Sequence, residues 1–239
     1  MTTFNPPKPI YLFADSHLLF WKDGGHLFLD SIKEELGHDS PKAAYVGASN
    51  GDEPAFYGIF EAAMEIIGIK DCRMIKSAPS EDDLTFVKHA DLILLAGGDV
   101  EKGWRVFEQN GLARNISNRE AVLIGVSAGA VQLGLYGWHK RDDSHSGLID
   151  TFKLVPFIVG VHEEDADWEG LSSALCHARH DVEGLGIPAG GGVIYRADYS
   201  LEPVRKPAHF FRKVGDEIAH SIFSPGPGGE VQEASGRVC

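Results

Sequence analysis

One stretch of the sequence joins an apolar run to a serine flanked by glycines: Ala121-Val-Leu-Ile-Gly-Val-Ser-Ala-Gly-Ala130. The first six residues predict a buried strand, and the helical spacing that follows predicts a helix over 130–135. In such a turn, Gly125 and Gly129 leave room for a sharp reversal and for close crossing of strand and helix. Ser127 is therefore predicted at the carboxyl end of a strand, in strained backbone, with its hydroxyl exposed. The alternative is a glycine-rich turn without chemistry.

Apolar runs and helical patterns alternate on both sides of this turn. The runs predict strands at 9–13, 42–46, 72–75, 92–96 and 121–126, and the spacing predicts helices at 27–36, 53–67 and 104–109. Strands that are apolar throughout and separated by helices indicate a parallel sheet covered on both faces. We therefore predict an α/β fold, a three-layer, doubly wound and mostly parallel sheet, with smaller strands near 190–195, 199–204 and 209–214.

The chain is predicted to form a single α/β domain over residues 1–223. Residues 224–239 are rich in Pro and Gly at their start, which predicts a flexible C-terminal tail. The longest apolar runs, such as 154–161, are far shorter than the ~20 residues of a membrane span. We expect no signal peptide, since the first eight residues lack an apolar core.

Charge and cysteine usage limit the classes of partner. The net charge of −13 makes nucleic acids and anionic membranes unfavourable partners. Cys72, Cys176 and Cys239 are scattered and odd in number. We therefore expect reduced thiols in a cytoplasmic protein rather than a disulfide framework.

A second glycine pair ends the strand that precedes the serine strand. Gly97-Gly98-Asp99 follows the run 92–96, and its N–H groups are suited to complete an oxyanion hole with the N–H of Ala128. The alternative is a turn followed by a helix whose N-cap is Asp99.

A serine nucleophile needs a base, and the sequence has eleven histidines. His162 directly follows the apolar run Leu154–Val161, which predicts that it lies at the carboxyl end of a strand, where doubly wound sheets bind ligands. His177 and His180 are predicted on a helix surface, and His209 and His220 in the terminal strands.

These motifs resemble the dipeptidase E and cyanophycinase family of serine peptidases, whose fold is similar to class I glutamine amidotransferases. The likeness rests on Gly-x-Ser-Ala-Gly-Ala, on Gly-Gly-Asp, and on the segment from Gly147 to His162. It implies Ser127 as nucleophile, His162 as base, and Gly98, Asp99 and Ala128 as the region of the oxyanion hole. It implies hydrolysis of a peptide or isopeptide bond of a small aspartyl peptide through an acyl-enzyme, with no metal or organic cofactor. A homodimer is left open.

The sequence departs from this family at the acid that orients the histidine. The family has a glutamate after a turn that here reads Gly184-Leu-Gly-Ile-Pro-Ala-Gly-Gly191, and that position is Ala189. Asp143 and Asp150 are the predicted replacements. The arginines that the family has after its histidine are also missing here. The basic residues nearest the motifs, which could bind an aspartyl carboxylate instead, are Lys102, Arg105 and Arg141.

Two other functions stay open. An α/β-hydrolase esterase also uses G-x-S-x-G, but with a base near the C-terminus, here His209 or His220. A homologue with an incomplete triad would bind a peptide without hydrolysing it.

Overall fold

The computed structural model describes residues 8–117, 120–140, 146–226 and 231–239. The strands are β1 (Ile10–Phe13), β2 (Lys22–Asp23), β3 (His26–Leu27), β4 (Lys42–Val46), β5 (Asp71–Ile75), β6 (Leu92–Leu95), β7 (Val122–Val126), β8 (Tyr136–Lys140), β9 (Ser146–Asp150), β10 (Phe157–Val161), β11 (Glu183–Ile187), β12 (Gly192–Tyr195), β13 (Leu201–Val204), β14 (Ala208–Val214), β15 (Glu217–Phe223) and β16 (Val231–Val238). The helices are α1 (Phe28–Glu34), α2 (Pro54–Ile66), α3 (Glu81–Lys88), α4 (Val100–Gln109), α5 (Leu112–Ser117), α6 (Ala128–Leu133) and α7 (Glu169–His177).

A seven-stranded sheet forms the centre of the molecule, in the order β13-β12-β1-β7-β6-β4-β5. The strands β1, β7, β6, β4 and β5 run parallel to one another. The strands β12 and β13 lie at one edge of the sheet and pair antiparallel with their neighbours. The prediction of a mostly parallel α/β sheet is confirmed. Nearly all residues of β1, β4, β6 and β7 are buried, as expected for strands covered on both faces.

The two faces of this sheet carry separate apolar cores. Successive residues of a strand point to opposite faces. Leu12 and Leu95 accordingly belong to one core, and Tyr11 and Leu94 to the other. The carboxyl ends of β1, β6 and β7 meet at one edge, where Ser127 follows β7 and the Gly97-Gly98 pair follows β6.

A second sheet of five strands, in the order β10-β11-β14-β15-β16, was not foreseen as a separate unit. Strands β10 and β11 are parallel and the others antiparallel. Helix α7 packs on this sheet through a third apolar core that includes Trp168, Leu171 and Phe211. The strand that leads to His162 therefore belongs to a different sheet from the strand that leads to Ser127.

The C-terminal residues differ from the two expectations drawn from the sequence. Val231–Val238 pairs antiparallel with β15 instead of forming a flexible tail, because the Pro-Gly stretch precedes a strand rather than ending the fold. This strand brings Cys239 to Cys176 in α7, and the two form a disulfide, where free thiols were expected. Cys72 is a free thiol. In the part of the chain that the structure describes, no helix is long and apolar enough to cross a membrane.

Candidate active site

Ser127 lies in the strained turn that its flanking glycines predict. It has φ 50° and ψ −113°, a region that residues with a side chain rarely adopt, and it is the N-cap of α6. A Cβ atom on Gly125 would lie 2.6 Å from the Ala130 nitrogen, and one on Gly129 would lie 2.2 Å from the Leu95 oxygen. Both glycines are therefore required for helix α6 to cross so close to β6 and β7.

The Gly97-Gly98 pair approaches this turn from the end of β6. A Cβ atom on Gly97 would lie 3.3 Å from the Ser127 Cβ, so the two backbones are nearly in contact. Gly98 has φ 130°, and a Cβ there would lie 2.2 Å from the Ser49 oxygen. Among the described residues, no backbone acceptor is bonded to the N–H of Gly98 or of Ala128, which leaves both amides available to an oxyanion.

Asp99 does not fit the role of an oxyanion donor that the sequence suggests. Its N–H donates to the Ser49 oxygen at 2.9 Å. Its carboxylate accepts from the Lys102 N–H at 2.8 Å and caps α4. The helix-cap interpretation of Asp99 is the one that the structure supports.

A buried polar pair holds the loop beneath Gly98. Gln132 Nε2, on the elbow helix α6, donates to Ser49 Oγ at 3.0 Å and to the Val100 oxygen at 2.9 Å. Gln132 has no exposed surface and Ser49 is 3% exposed. Because buried polar groups are costly unless bonded, these contacts tie α6, α4 and the Ser49 loop into one unit around the glycine pair.

His162 follows β10, at the carboxyl end of its strand, as predicted. It has φ 59°, its side chain is exposed, and its N–H donates to the Ile187 oxygen at 3.2 Å. His162, Ser127 and Gly98 together line two adjoining cavities of about 300 Å³ and about 240 Å³. The cleft between the two sheets thus brings together a serine, a histidine and a free backbone amide.

Of the two predicted acids, the one that the structure describes does not line either cavity with His162. Asp143 lies outside the described residues. Asp150 forms an ion pair with Lys153 at 2.7 Å, its side chain is 67% exposed, and it lines neither cavity. The strand β9 places Asp150 at its end on the surface, so the structure does not support it as the partner of His162.

The two glutamates after His162 have distinct partners. Glu163 accepts from the Leu171 N–H at 2.8 Å near the start of α7, and burial raises the pKa of its carboxyl. Glu164 Oε1 accepts from the N–H of Ala189 at 2.8 Å, while its Oε2 is buried and has no hydrogen-bond partner. Glu164 therefore bonds to the backbone of Ala189, the residue at which the resembling family has its glutamate. Sequence reasoning missed this, because adjacency to His162 does not reveal where a side chain points.

His209 and His220, the bases that an esterase would need, lie away from the serine. His209 Nδ1 is 3.0 Å from His220 Nε2, and neither residue lines a cavity with Ser127. Burial lowers the pKa of both imidazoles. This arrangement argues against the esterase order of residues.

Comparison with known proteins gives a family and two solved structures of the same fold. The chain matches Peptidase family S51 over residues 21–196. A peptidase from an acI-B1 Actinobacterium has the same fold with a TM-score of 0.62 at 15% identity, over 99% of each chain. A protein from Listeria monocytogenes EGD-e, provisionally described as a Peptidase E protein, gives a TM-score of 0.54 at 16% identity, over 95% of this chain and 99% of its own.

A search of curated protein sequences finds no match. The match to the family covers most of the chain and includes Ser127, His162 and both glycine motifs. This chain belongs to Peptidase family S51.

Proposed function

We propose that this protein is a serine peptidase that hydrolyses small peptides through an acyl-enzyme on Ser127. Membership of family S51 supports a serine peptidase in general. The observation that carries the proposal is that Ser127, in a strained turn, lines the same two cavities as His162 and Gly98. Nucleophile, base and oxyanion donor are the three groups that acyl transfer requires.

In the proposed reaction, Ser127 Oγ attacks the carbonyl carbon of the scissile bond and His162 takes the hydroxyl proton. The tetrahedral oxyanion accepts hydrogen bonds from the N–H groups of Gly98 and Ala128. The bond to the amine breaks as His162 returns the proton to the leaving nitrogen. Water then attacks the ester, gives its proton to His162, and the acid leaves as Ser127 regains its hydroxyl hydrogen.

We propose Glu164 as the carboxylate that stabilises the His162 imidazolium. A base histidine works best when a nearby acid favours its charged form. Glu164 is two residues from His162, is bonded to Ala189, and keeps one buried oxygen free. The support for this assignment is that Glu164 bonds to the backbone of the residue at which the resembling family has its glutamate.

Three points that are more specific than a serine peptidase remain predictions from the sequence. The first is an aspartyl substrate, of the dipeptidase E or the cyanophycinase kind. The others are a cytoplasmic location and a homodimer. The disulfide between Cys176 and Cys239 is the observation that weighs against a reducing compartment.

The experiment that tests the proposal is a dipeptide library assay with release of free amino acids as the readout. We expect cleavage of some members by the unaltered protein and none by Ser127→Ala, which removes one half-buried oxygen and leaves the fold intact. His162→Gln should abolish turnover, whereas His220→Gln should not. Retained activity in Ser127→Ala would overturn the mechanism, and a folded protein that binds peptides without cleaving any would indicate the non-hydrolytic homologue.

A further inference from the structure

The larger of the two cavities at Ser127 has mostly apolar walls. It lies between the loop after β1 and the first turns of α2, and its volume of about 300 Å³ exceeds the ~150 Å³ in which an apolar protein cavity holds benzene. Six large apolar side chains line it: Leu19, Tyr45, Phe56, Ile59, Phe60 and Leu94.

Two of these side chains lack apolar cover. Phe56 and Ile59 are 52% and 37% exposed and stand three residues apart on α2, which places them on one face of the helix. Both line the cavity that Ser127 also lines. Large apolar side chains exposed at the mouth of a catalytic cavity are typical of a site that binds an apolar group.

The charges in the cleft disfavour a substrate carboxylate. Asp15 lines the larger cavity and Glu163 the smaller one. Over the described ranges, no lysine or arginine lines either cavity. Since like charges repel, an acidic side chain beside Ser127 would meet repulsion, with no lysine or arginine among the described lining residues to offset it.

The basic residues that the sequence singles out do not supply that cation. Lys102 and Arg105 line a separate cavity along α4 and β8, and Arg105 is paired with Glu101. Arg141 lies outside the described residues.

We propose, on the basis of the proposed function, that Ser127 attacks the carbonyl of a residue with an apolar side chain such as Leu or Phe. This side chain binds between Phe56 and Ile59. The substrate class is therefore small peptides with an apolar acyl residue, in contrast to the aspartyl peptides that the resemblance implies. Phe56 and Ile59 are the specificity-determining residues.

Measurement of kcat/KM for Phe-Ala, Leu-Ala and Asp-Ala tests this proposal. Loss of one or more hydrophobic contacts typically changes specificity by ~10–200-fold. We therefore expect Phe-Ala and Leu-Ala to be cleaved at least ~10-fold more efficiently than Asp-Ala. Equal or faster cleavage of Asp-Ala would overturn the inference while leaving the peptidase function intact.

Two matched variants sharpen the test. Ile59→Arg places a cation in the cavity and is expected to reduce the ratio of Phe-Ala to Asp-Ala cleavage by ~10-fold or more. Ile66→Arg makes the same change at the end of α2, at a residue that is 58% exposed and does not line the cavity, and should leave the ratio unchanged. An unchanged ratio in Ile59→Arg would contradict the assignment of this wall.

Active-site labelling with a fluorophosphonate separates the two levels of failure. If Ser127 is labelled but none of the three dipeptides is cleaved, the substrate class is overturned and the nucleophile stands. If Ser127 is not labelled and nothing is cleaved, the proposed function itself fails.

Discussion

The two walls of the cleft are built in different ways. On one wall, Ser127 lies in a turn that its own flanking glycines and the Gly97-Gly98 pair allow, and its N–H donates to the Phe13 oxygen of the same seven-stranded sheet. On the other wall, His162 follows a strand of the five-stranded sheet, is exposed, and depends on residues from β11 and α7 for its surroundings. Both walls are held by contacts between distant segments, but only the turn of the nucleophile is marked by a local glycine pattern in the sequence.

The first prediction tests the serine wall. Gly98→Val places a side chain against the Ser49 oxygen, where a Cβ would lie at 2.2 Å, so the backbone must shift and its N–H must leave the oxyanion site. Loss of one oxyanion donor typically costs ~10²–10³ in kcat. We expect a fall of that size, measured as kcat on the best dipeptide.

Gly111→Val provides the control for Gly98→Val. Gly111 also has a positive φ but no atom lies within 4 Å of its Cβ position. Both variants carry backbone strain, so a kcat that falls equally in the two would remove Gly98 from the oxyanion hole.

The second prediction tests the acid on the histidine wall. Glu164→Gln keeps an acceptor for the Ala189 N–H but removes the charge, so we expect kcat/KM to fall by ~10²-fold, less than the ~10⁴-fold seen when a protease triad aspartate becomes asparagine.

Asp150→Asn is the matched change for Glu164→Gln. Its carboxylate is paired with Lys153 on the surface, so kcat/KM should stay as it is. An unchanged kcat/KM in Glu164→Gln, or an equal fall in Asp150→Asn, would remove Glu164 as the acid.

The third prediction concerns the stability of the histidine wall. The disulfide from Cys176 to Cys239 closes a loop with a sequence separation of 63 residues, for which chain entropy gives about 4 kcal/mol of unfolding free energy. Cys239→Ser should lower the free energy of unfolding by about this amount. The change is measured as a lower midpoint in urea unfolding. A midpoint equal to that of the reduced unaltered protein checks that the effect comes from the disulfide, and no difference from the oxidised protein would show that the bond adds nothing.

The smallest expected effect is on the pH dependence of the free energy of unfolding, through two histidines of the five-stranded sheet. Burial lowers the pKa of His209 and His220, so both are neutral in the folded protein at a pH where the unfolded chain binds protons. The free energy of unfolding should therefore fall as pH drops below about 6.5 toward the lowered pKa values. Glu164 and Asp167 face His209 and oppose this shift, while Arg237 adds to it at His220.

Replacement of both histidines by glutamine should flatten this part of the stability curve, measured by urea unfolding between pH 5 and 8. A curve with the same slope in the double variant would assign the dependence to other groups.

The sequence predicts the serine wall far better than the histidine wall. Lys42–Val46 is predicted with the observed bounds. Continuous apolar runs and glycine turns are local signals, and they are sufficient for buried parallel strands. Strand β15 has few fully buried residues, so no such run marks it, and the second sheet could not be predicted as a unit.

The prediction of the acid from the sequence is limited in the same way, at the level of one side chain. Glu164 begins a short 3-10 helix, Glu164–Ala166, and its carboxylate accepts from the Ala189 N–H, 25 residues further along the chain. Nothing in the spacing of these residues predicts that contact. The prediction of Asp143 and Asp150 as the acid rests only on the likeness of their segment to a segment of the family.

The most direct test of the central claim is the mass of the intact protein after treatment with a fluorophosphonate, with the labelled peptide then identified. The account predicts one adduct, located on Ser127, absent from Ser127→Ala and slowed in His162→Gln because the base no longer activates the hydroxyl. A folded protein that takes up no label, or one that is labelled at a serine other than Ser127, would contradict it.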